Sequence, residues 1–268
     1  MEEKLKARLT ELLKKSGVKA SVVIKAAASG FEFRANDTER VKAASLIKLP
    51  VLWNLFERAE RGELDLNETV TIDENRKVDG GLLHRTLGKP TLRLCDCALL
   101  AAAVSDNTAA NILIDRLGFD AINATAQQLG MSATSCGRKM LDAEARKAGK
   151  DNFTSAGDVA QFFISLLDEN KLSGSGRKAI LSFLSAQKLQ SKLAGQLPCD
   201  DVDDLELVLA HKTGELPGCE HDAGIFFPLG ANPVVVVVMT FEAANRLDGV
   251  KLCSEIGRLV YDTYKDCQ

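Results

Sequence analysis

Leu5, Leu9, Leu12 and Leu13 recur at helical spacing, and Gly17 stands where a C-cap residue ends a helix. A helix with one leucine face must lay that face on something, and a sheet is the expected partner. The next stretch, VKASVVIKAAASGFEFRAN (18–36), has two β-rich runs around a Ser-Gly turn and predicts a hairpin. Three more strands are predicted near the other end, in LELVLAHKTG (205–214), HDAGIFFP (221–228) and NPVVVVVMTFE (232–242), with turn signals ELPGCE and PLGANP between them. The chain closes in DGVKLCSEIGRLVYDTYKD, where Leu252, Ile256, Leu259 and Val260 share one helical face.

Between these β-rich ends, from about residue 45 to 200, the pattern is almost all helical, with short Gly-containing joints. CALLAAAVSDNTAANILIDRLG and SAGDVAQFFISLLDEN are its clearest parts. This distribution predicts an α/β (α+β) fold of two lobes within one domain, 1–268. The α/β lobe is expected from 1–60 and 205–268, with five strands and helices on both faces, and the all-α lobe from 61–204. A cleft between the lobes is the expected place for a site.

Composition narrows the function classes. At 268 residues, 46% hydrophobic and 26% charged, the chain reads as an ordinary globular protein. A formal charge of −3 with acids and bases interspersed leaves no basic stripe for a nucleic-acid backbone. The seven cysteines are odd in number and scattered, and Cys95 and Cys97 have no zinc-ligand spacing. No metal or organic cofactor is implied. MEEKLKARLTELLKKSG carries charges throughout and is neither a signal peptide nor a membrane span. The expected location is cytoplasmic, or periplasmic or extracellular if an export signal has been trimmed, and the expected state is a monomer.

The candidate chemistry begins at VKAASLIKLPVLWN, residues 41–54. Serine with lysine three residues on occurs four times, at Ser16/Lys19, Ser45/Lys48, Ser175/Lys178 and Ser185/Lys188. Only Ser45 opens an apolar run that would take its lysine out of water. Pro50 belongs near the first turn of its helix, which places Ser45 and Lys48 in that turn, on one face. A hydroxyl is a poor nucleophile until a base takes its proton, and lysine is such a base only when neutral, a state favoured by burial and by a second cation. The plainer alternative is a serine N-cap beside a solvated lysine. Ser105, Asp106 and Asn107 fall at the junction of two helical runs. Lys212, Thr213 and Gly214 fall at a strand end, where the lysine is a candidate second cation and the glycine permits close approach of a ligand backbone. Each tripeptide alone has a dull reading, as a capping cluster and as a strand-to-turn sequence.

Taken together and in this order, Ser45-Leu46-Ile47-Lys48, Ser105-Asp106-Asn107 and Lys212-Thr213-Gly214 resemble the three signature motifs of class A β-lactamases and penicillin-binding serine acyltransferases. The resemblance spans nearly the whole chain and implies a β-lactamase-like fold with a five-stranded antiparallel sheet. It implies a serine hydrolase, first a class A-type β-lactamase working through an acyl-Ser45 intermediate. The alternatives are a D-alanyl peptidase, amidase or esterase of the same fold, or a penicillin-binding protein with slow deacylation. Its partner would be a small molecule, a β-lactam or an acyl-D-Ala-like compound. By the same resemblance Lys48 is the base, Ser105 the proton shuttle, and Asn107 holds Lys48 and the substrate side-chain amide. Lys212 and Thr213 bind the substrate carboxylate, and the amides of Ser45 and Glu215 form the oxyanion hole.

Two departures stand out. Class A enzymes carry a deacylating glutamate in Arg-x-Glu-x-x-x-Asn, whereas CGRKMLDAEARKAGKDNFTS offers Arg138 followed two residues later by Met140. Asp142 and Glu144 are the nearest acids; either reaches the water if the loop is shaped for it, with Glu144 the candidate catalytic residue, and if both are solvated helix charges acylation proceeds without efficient turnover. Class A sequences also place an arginine on the strand after the third motif, and here that stretch reads CEHDAGIFF. His221, or Arg246 from the end of the next strand, is left to take its place, while Glu215 adds negative charge beside the cleft. The alternatives to this chemistry are weak: no G-x-S-x-G elbow occurs, and the only tyrosines, Tyr261 and Tyr264, lie on the C-terminal helix.

Overall fold

The computed structural model describes residues 1–198, 208–227 and 232–265. Residues 205–207 of the strand predicted to begin there, Pro228 and most of the PLGANP turn, Cys199 and Cys267 lie outside them. Helix α1 (Glu2–Ser16) ends at Gly17, whose φ of 65° is the left-handed cap the sequence predicts. Strands β1 (Lys19–Ala26) and β2 (Glu32–Ala35) form the predicted hairpin.

The main sheet has five strands in the order β2-β1-β9-β8-β7, all antiparallel, with β7 Leu209–Leu216, β8 Cys219–Phe226 and β9 Val234–Phe241. Strand β9 is paired on both sides and buried at every position, which is why its sequence is a continuous apolar run rather than an alternation. Its side chains still alternate. Val235, Val237 and Met239 join Val23 and Ile225 on the face covered by the helical middle of the chain. Val234, Val236 and Val238 join Leu5 and Leu9 of α1 and Leu252, Ile256 and Val260 of the last helix, α9 (Arg246–Tyr264). Each such side chain contributes about 1.5–3 kcal/mol of transfer free energy, against the entropy of ordering it.

Strand β8 starts two residues earlier than its pattern predicts. The turn from β7 needs only Pro217 and Gly218, Gly218 taking φ 76°, so Leu216 pairs with Cys219 and the ladder runs to the hairpin tip. One consequence is that Glu215 and Glu220 face each other across the strands.

In the helical middle, α2 (Lys48–Glu60) is apolar nearly all round, with Leu49 to Phe56 buried. It packs against α4 (Asn107–Leu117), α5 (Phe119–Gln128) and α8 (Gly174–Ser185), and Trp53 meets Phe162 of α7 (Ala156–Leu167) edge-on at 5.8 Å. Helix α3 (Leu94–Ala103) packs on α4, and α6 (Ala143–Lys147) is a single short piece. The middle is less purely helical than its pattern. Strand β3 (Val41–Lys42) pairs with β6 (Phe153–Thr154), and β4 (Thr69–Thr71) with β5 (Thr91–Arg93). Runs of two or three residues are too short to display a period, and only their distant partners make them strands.

Candidate active site

The chain enters α2 through a 3₁₀ turn, Ala44–Ile47, so Ser45 sits on the tightened turn and Lys48 begins the helix. Pro50 is the third residue of α2, where its missing N–H costs nothing. Ala44 is held at φ 47°, a conformation that costs a residue with a Cβ about 1–3 kcal/mol and persists only where surroundings impose it. Strand β7 does so. A Cβ on Gly214 would lie 3.1 Å from Ala44 Cβ and 3.4 Å from the Ser45 nitrogen. The sequence suggested that this glycine makes room for a ligand. Its immediate neighbour is the protein's own serine turn, although Gly214 also lines the cavity beside it.

Ser105 carries the second strained backbone, φ 55°, in the break between α3 and α4. Asp106 fixes that break: its carboxylate caps α4 through Ala109 N at 2.9 Å and accepts from Leu82 N and Leu83 N at 2.7 and 2.8 Å. Asp106 is therefore a scaffold residue, and the loop it ties down forms a cavity wall. Gly80 and Gly81 have no room for a Cβ there: one on Gly80 would fall 2.5 Å from Asn107 Nδ2, and one on Gly81 2.4 Å from Asp106 Cα. The only sequence signal for this wall was the Gly-Gly pair itself, at φ 88° and 91°.

Two lysines converge on the Ser105 hydroxyl. Lys48 Nζ donates to Ser105 O at 2.6 Å and to Asn107 Oδ1 at 2.8 Å, and lies 3.2 Å from Ser105 Oγ. Lys212 Nζ donates to the same Oγ at 2.9 Å and to Thr213 O at 2.9 Å. Both lysines are fully buried. Burial drives the Lys48 amine well below its ordinary range, the nearby Lys212 charge pushes the same way, and Asp106 opposes both. Burial lowers Lys212 to about 7 against the pull of Asp222, with Lys192 adding to the fall and Glu215 resisting it. The surroundings thus favour the neutral form of Lys48, in which two N–H groups serve Ser105 O and Asn107 Oδ1 and a lone pair remains to accept a proton. Ser45, Ser105, Asn107, Thr213, Gly214 and Glu215 line one cavity of about 440 Å³, with Leu82 and Leu189 as apolar walls.

Two predicted site residues are not there. Glu144 lies on α6 with its side chain 82% exposed and paired to Lys147 at 2.8 Å, an ordinary solvated helix charge that does not line the cavity. His221 is buried beneath β7 as the cross-strand partner of Gly214, with its Nε2 on the Lys42 carbonyl at 3.0 Å. Burial pushes its pKa down to about 4, against the charged form, and its ring does not line the cavity. Arg138 does anchor its loop, pairing with Asp151 at 2.7 Å, and Asn152 closes the loop by accepting from Gly137 N and Arg138 N. Met140 is clamped in place: Asn111 accepts from Met140 N at 2.7 Å and donates to Met140 O at 3.1 Å. Asn111 and Asn152 gave no signal in the sequence, because buried asparagines that bond backbone follow no motif.

Arg246 does come near the cleft, but it is engaged. Its guanidinium is 3.1 Å from Glu215 and 2.6 Å from Glu220. Lys192, fully buried and unmarked in the sequence, is 3.2 Å from Glu215 and 2.8 Å from Glu220, and donates to Gly214 O at 3.0 Å.

A two-lobed α/β fold whose cleft gathers two buried amines and two serines defines a serine hydrolase. The chain belongs to the β-lactamase enzyme family, whose profile matches residues 4–264. Among solved structures it is similar to the β-lactamase from Sphaerobacter thermophilus DSM 20745, with 28% identity over 95% of this chain and 94% of that one and a TM-score of 0.84. An ancestral class A β-lactamase (GNCA) superposes with a TM-score of 0.85 at 26% identity, covering 97% of this chain and 99% of that chain. A leucine-to-glutamate mutant of PBP-A, an acyl-enzyme complex with penicillin G, shares the fold at a TM-score of 0.86 and 24% identity over 98% of this chain and 97% of that one. No curated protein sequence matches the chain. Among the described residues, no helix is long and apolar enough to cross a membrane.

Proposed function

We propose that residues 1–268 act as one unit that acylates itself on Ser45 with a β-lactam or an acyl-D-Ala-like small molecule and releases the acyl group slowly, as a penicillin-binding enzyme does. The observation that carries the acylation is the convergence of Lys48 and Lys212 on Ser105 Oγ beside the cavity that Ser45 lines. Neutral Lys48 takes the Ser45 proton while Oγ attacks the carbonyl carbon. The amide C–N bond then breaks, and Ser105, bridging the two amines, passes a proton to the departing nitrogen. The backbone amides of Ser45 and Glu215 are the proposed oxyanion donors, Asn107 orients Lys48, and Thr213 with Lys212 binds the substrate group beside the scissile bond.

Slow release is supported by what stands on the 138–152 loop. Met140 occupies the place two residues after Arg138, and Glu144 points to solvent. Among the described residues lining the cavity, no acid comes from that loop to activate water. Efficient class A turnover is the second reading, favoured by the 28% identity to the Sphaerobacter β-lactamase. Intact-mass spectrometry after mixing with penicillin G decides between them. A lasting adduct that disappears in Ser45→Ala is expected. Rapid product release without accumulation establishes efficient turnover, and an adduct that survives in Ser45→Ala removes Ser45 from its role.

A further inference from the structure

Of the described residues that line the cavity with Ser45, Glu215 is the only charged one. Its setting is unusual for a strand position. Glu215 and Glu220 sit directly opposite each other on β7 and β8, where like charges destabilise a ladder. Two cations resolve the conflict, and each touches both carboxylates. Lys192 Nζ is 3.2 Å from Glu215 Oε1 and 2.8 Å from Glu220 Oε2. The Arg246 guanidinium is 3.1 Å from the same Glu215 oxygen and 2.6 Å from Glu220 Oε1. The four groups close a ring of alternating sign with no net charge. Glu220 is 1% exposed and Lys192 fully buried, so two sides of the ring are fixed in the interior; Arg246 and Glu215 are both half-exposed, and Glu215 is the one that lines the cavity.

We infer that Glu215 is a specificity-determining residue that occupies the cations a substrate carboxylate would otherwise use, so that the enzyme's preferred acyl donors carry no carboxylate next to the scissile bond. This deepens the acyl-Ser45 reading and rests on it. An anionic donor entering the cavity meets the Glu215 carboxylate first, and both cations behind it are already neutralised. The Lys212 amine is fully buried, is not among the residues that line the cavity, and already donates to Ser105 Oγ and Thr213 O. A neutral amide or ester meets no such repulsion.

Penicillin G and its methyl ester form a matched pair differing in that carboxylate. Acylation rate constants for both are read by intact mass in the wild type, in Glu215→Gln and in Glu215→Thr. The wild type is expected to acylate faster with the ester. Removing the Glu215 charge and freeing Arg246 should shift the ester-to-acid ratio toward the acid by about tenfold, the size of one like-charge contact at a partly exposed site. Glu215→Gln keeps the shape of the side chain, so a ratio that moves in both variants reports charge rather than packing. A wild type that prefers the acid, or variants that slow both donors by one common factor, overturns the inference while leaving the acyl-Ser45 reading intact. Failure of both donors to acylate wild-type Ser45 overturns that reading itself, and this inference with it.

Discussion

Lys48 and Lys192 are equally buried, yet their surroundings treat them in opposite ways. Lys48 is offered a carbonyl, an amide oxygen and a hydroxyl, and no carboxylate touches it. Lys192 is offered two carboxylates and two carbonyls. Neutral acceptors satisfy N–H groups without paying back the desolvation of a charge, so the first arrangement yields a free amine; carboxylates return that energy, so the second yields an ion pair. The difference separates two amines that burial alone would not have told apart.

The comparison is sharpest under substitution. Lys48→Met is expected to slow acylation by roughly 10²–10⁴, the usual worth of a positioned base, with the fold retained; stopped-flow acylation and circular dichroism check the two halves. Lys192→Met strands two carboxylates on one arginine and should destabilise the protein by about 3–5 kcal/mol in urea unfolding. Equal loss of stability in the two variants would erase the distinction.

Protonation tests the reactive side. Lys212 sits at about 7 in the folded protein against an ordinary 10.5, so the unfolded chain binds the proton more tightly. Between those values the unfolded state holds more protons, and stability should rise with pH by up to about 1.4 kcal/mol per unit, flattening below 7 where both states are protonated. Lys48, lowered in the same direction, adds a slope of the same sign, so Lys212→Met should reduce the slope by the Lys212 share rather than abolish it; urea titrations of both proteins from pH 6 to 10 that give equal slopes would remove Lys212 from this account.

Gly214→Ala should cost about 1–3 kcal/mol and slow acylation about tenfold, because the new methyl drives the Ala44–Ser45 turn aside. Wild-type acylation kinetics in this variant would mean the turn has slack. Glu144→Gln should change neither acylation nor release, and a slower release would return Glu144 to the chemistry.

Much of the fold was legible. The leucine face of α1, the Gly17 cap, the hairpin 18–36 and the all-apolar β9 follow from periods of 3.6 and 2 and from turn chemistry, which act over a few neighbours. Three site motifs were legible too, because each is local: a serine and lysine one turn apart, a cap cluster, a strand end. The placement of Glu144 and His221 was not legible: their types suit the chemistry, but one side chain points to solvent and the other is buried on the Lys42 carbonyl.

The amino-acid sequence by itself determined the long helices and the five strands of the main sheet to within a few residues, and which short runs carry the hydroxyls and amines. Tertiary structure alone decided which of those groups meet. Lys48 meets Ser105 across 57 residues of chain, Lys212 meets Ser105 across 107, and Lys192 reaches the His221 carbonyl across 29. Contacts of that range are set by how whole elements dock, and docking also fixes how much water each amine keeps, which is what separates Lys48, set among neutral acceptors, from Lys192, set between two carboxylates.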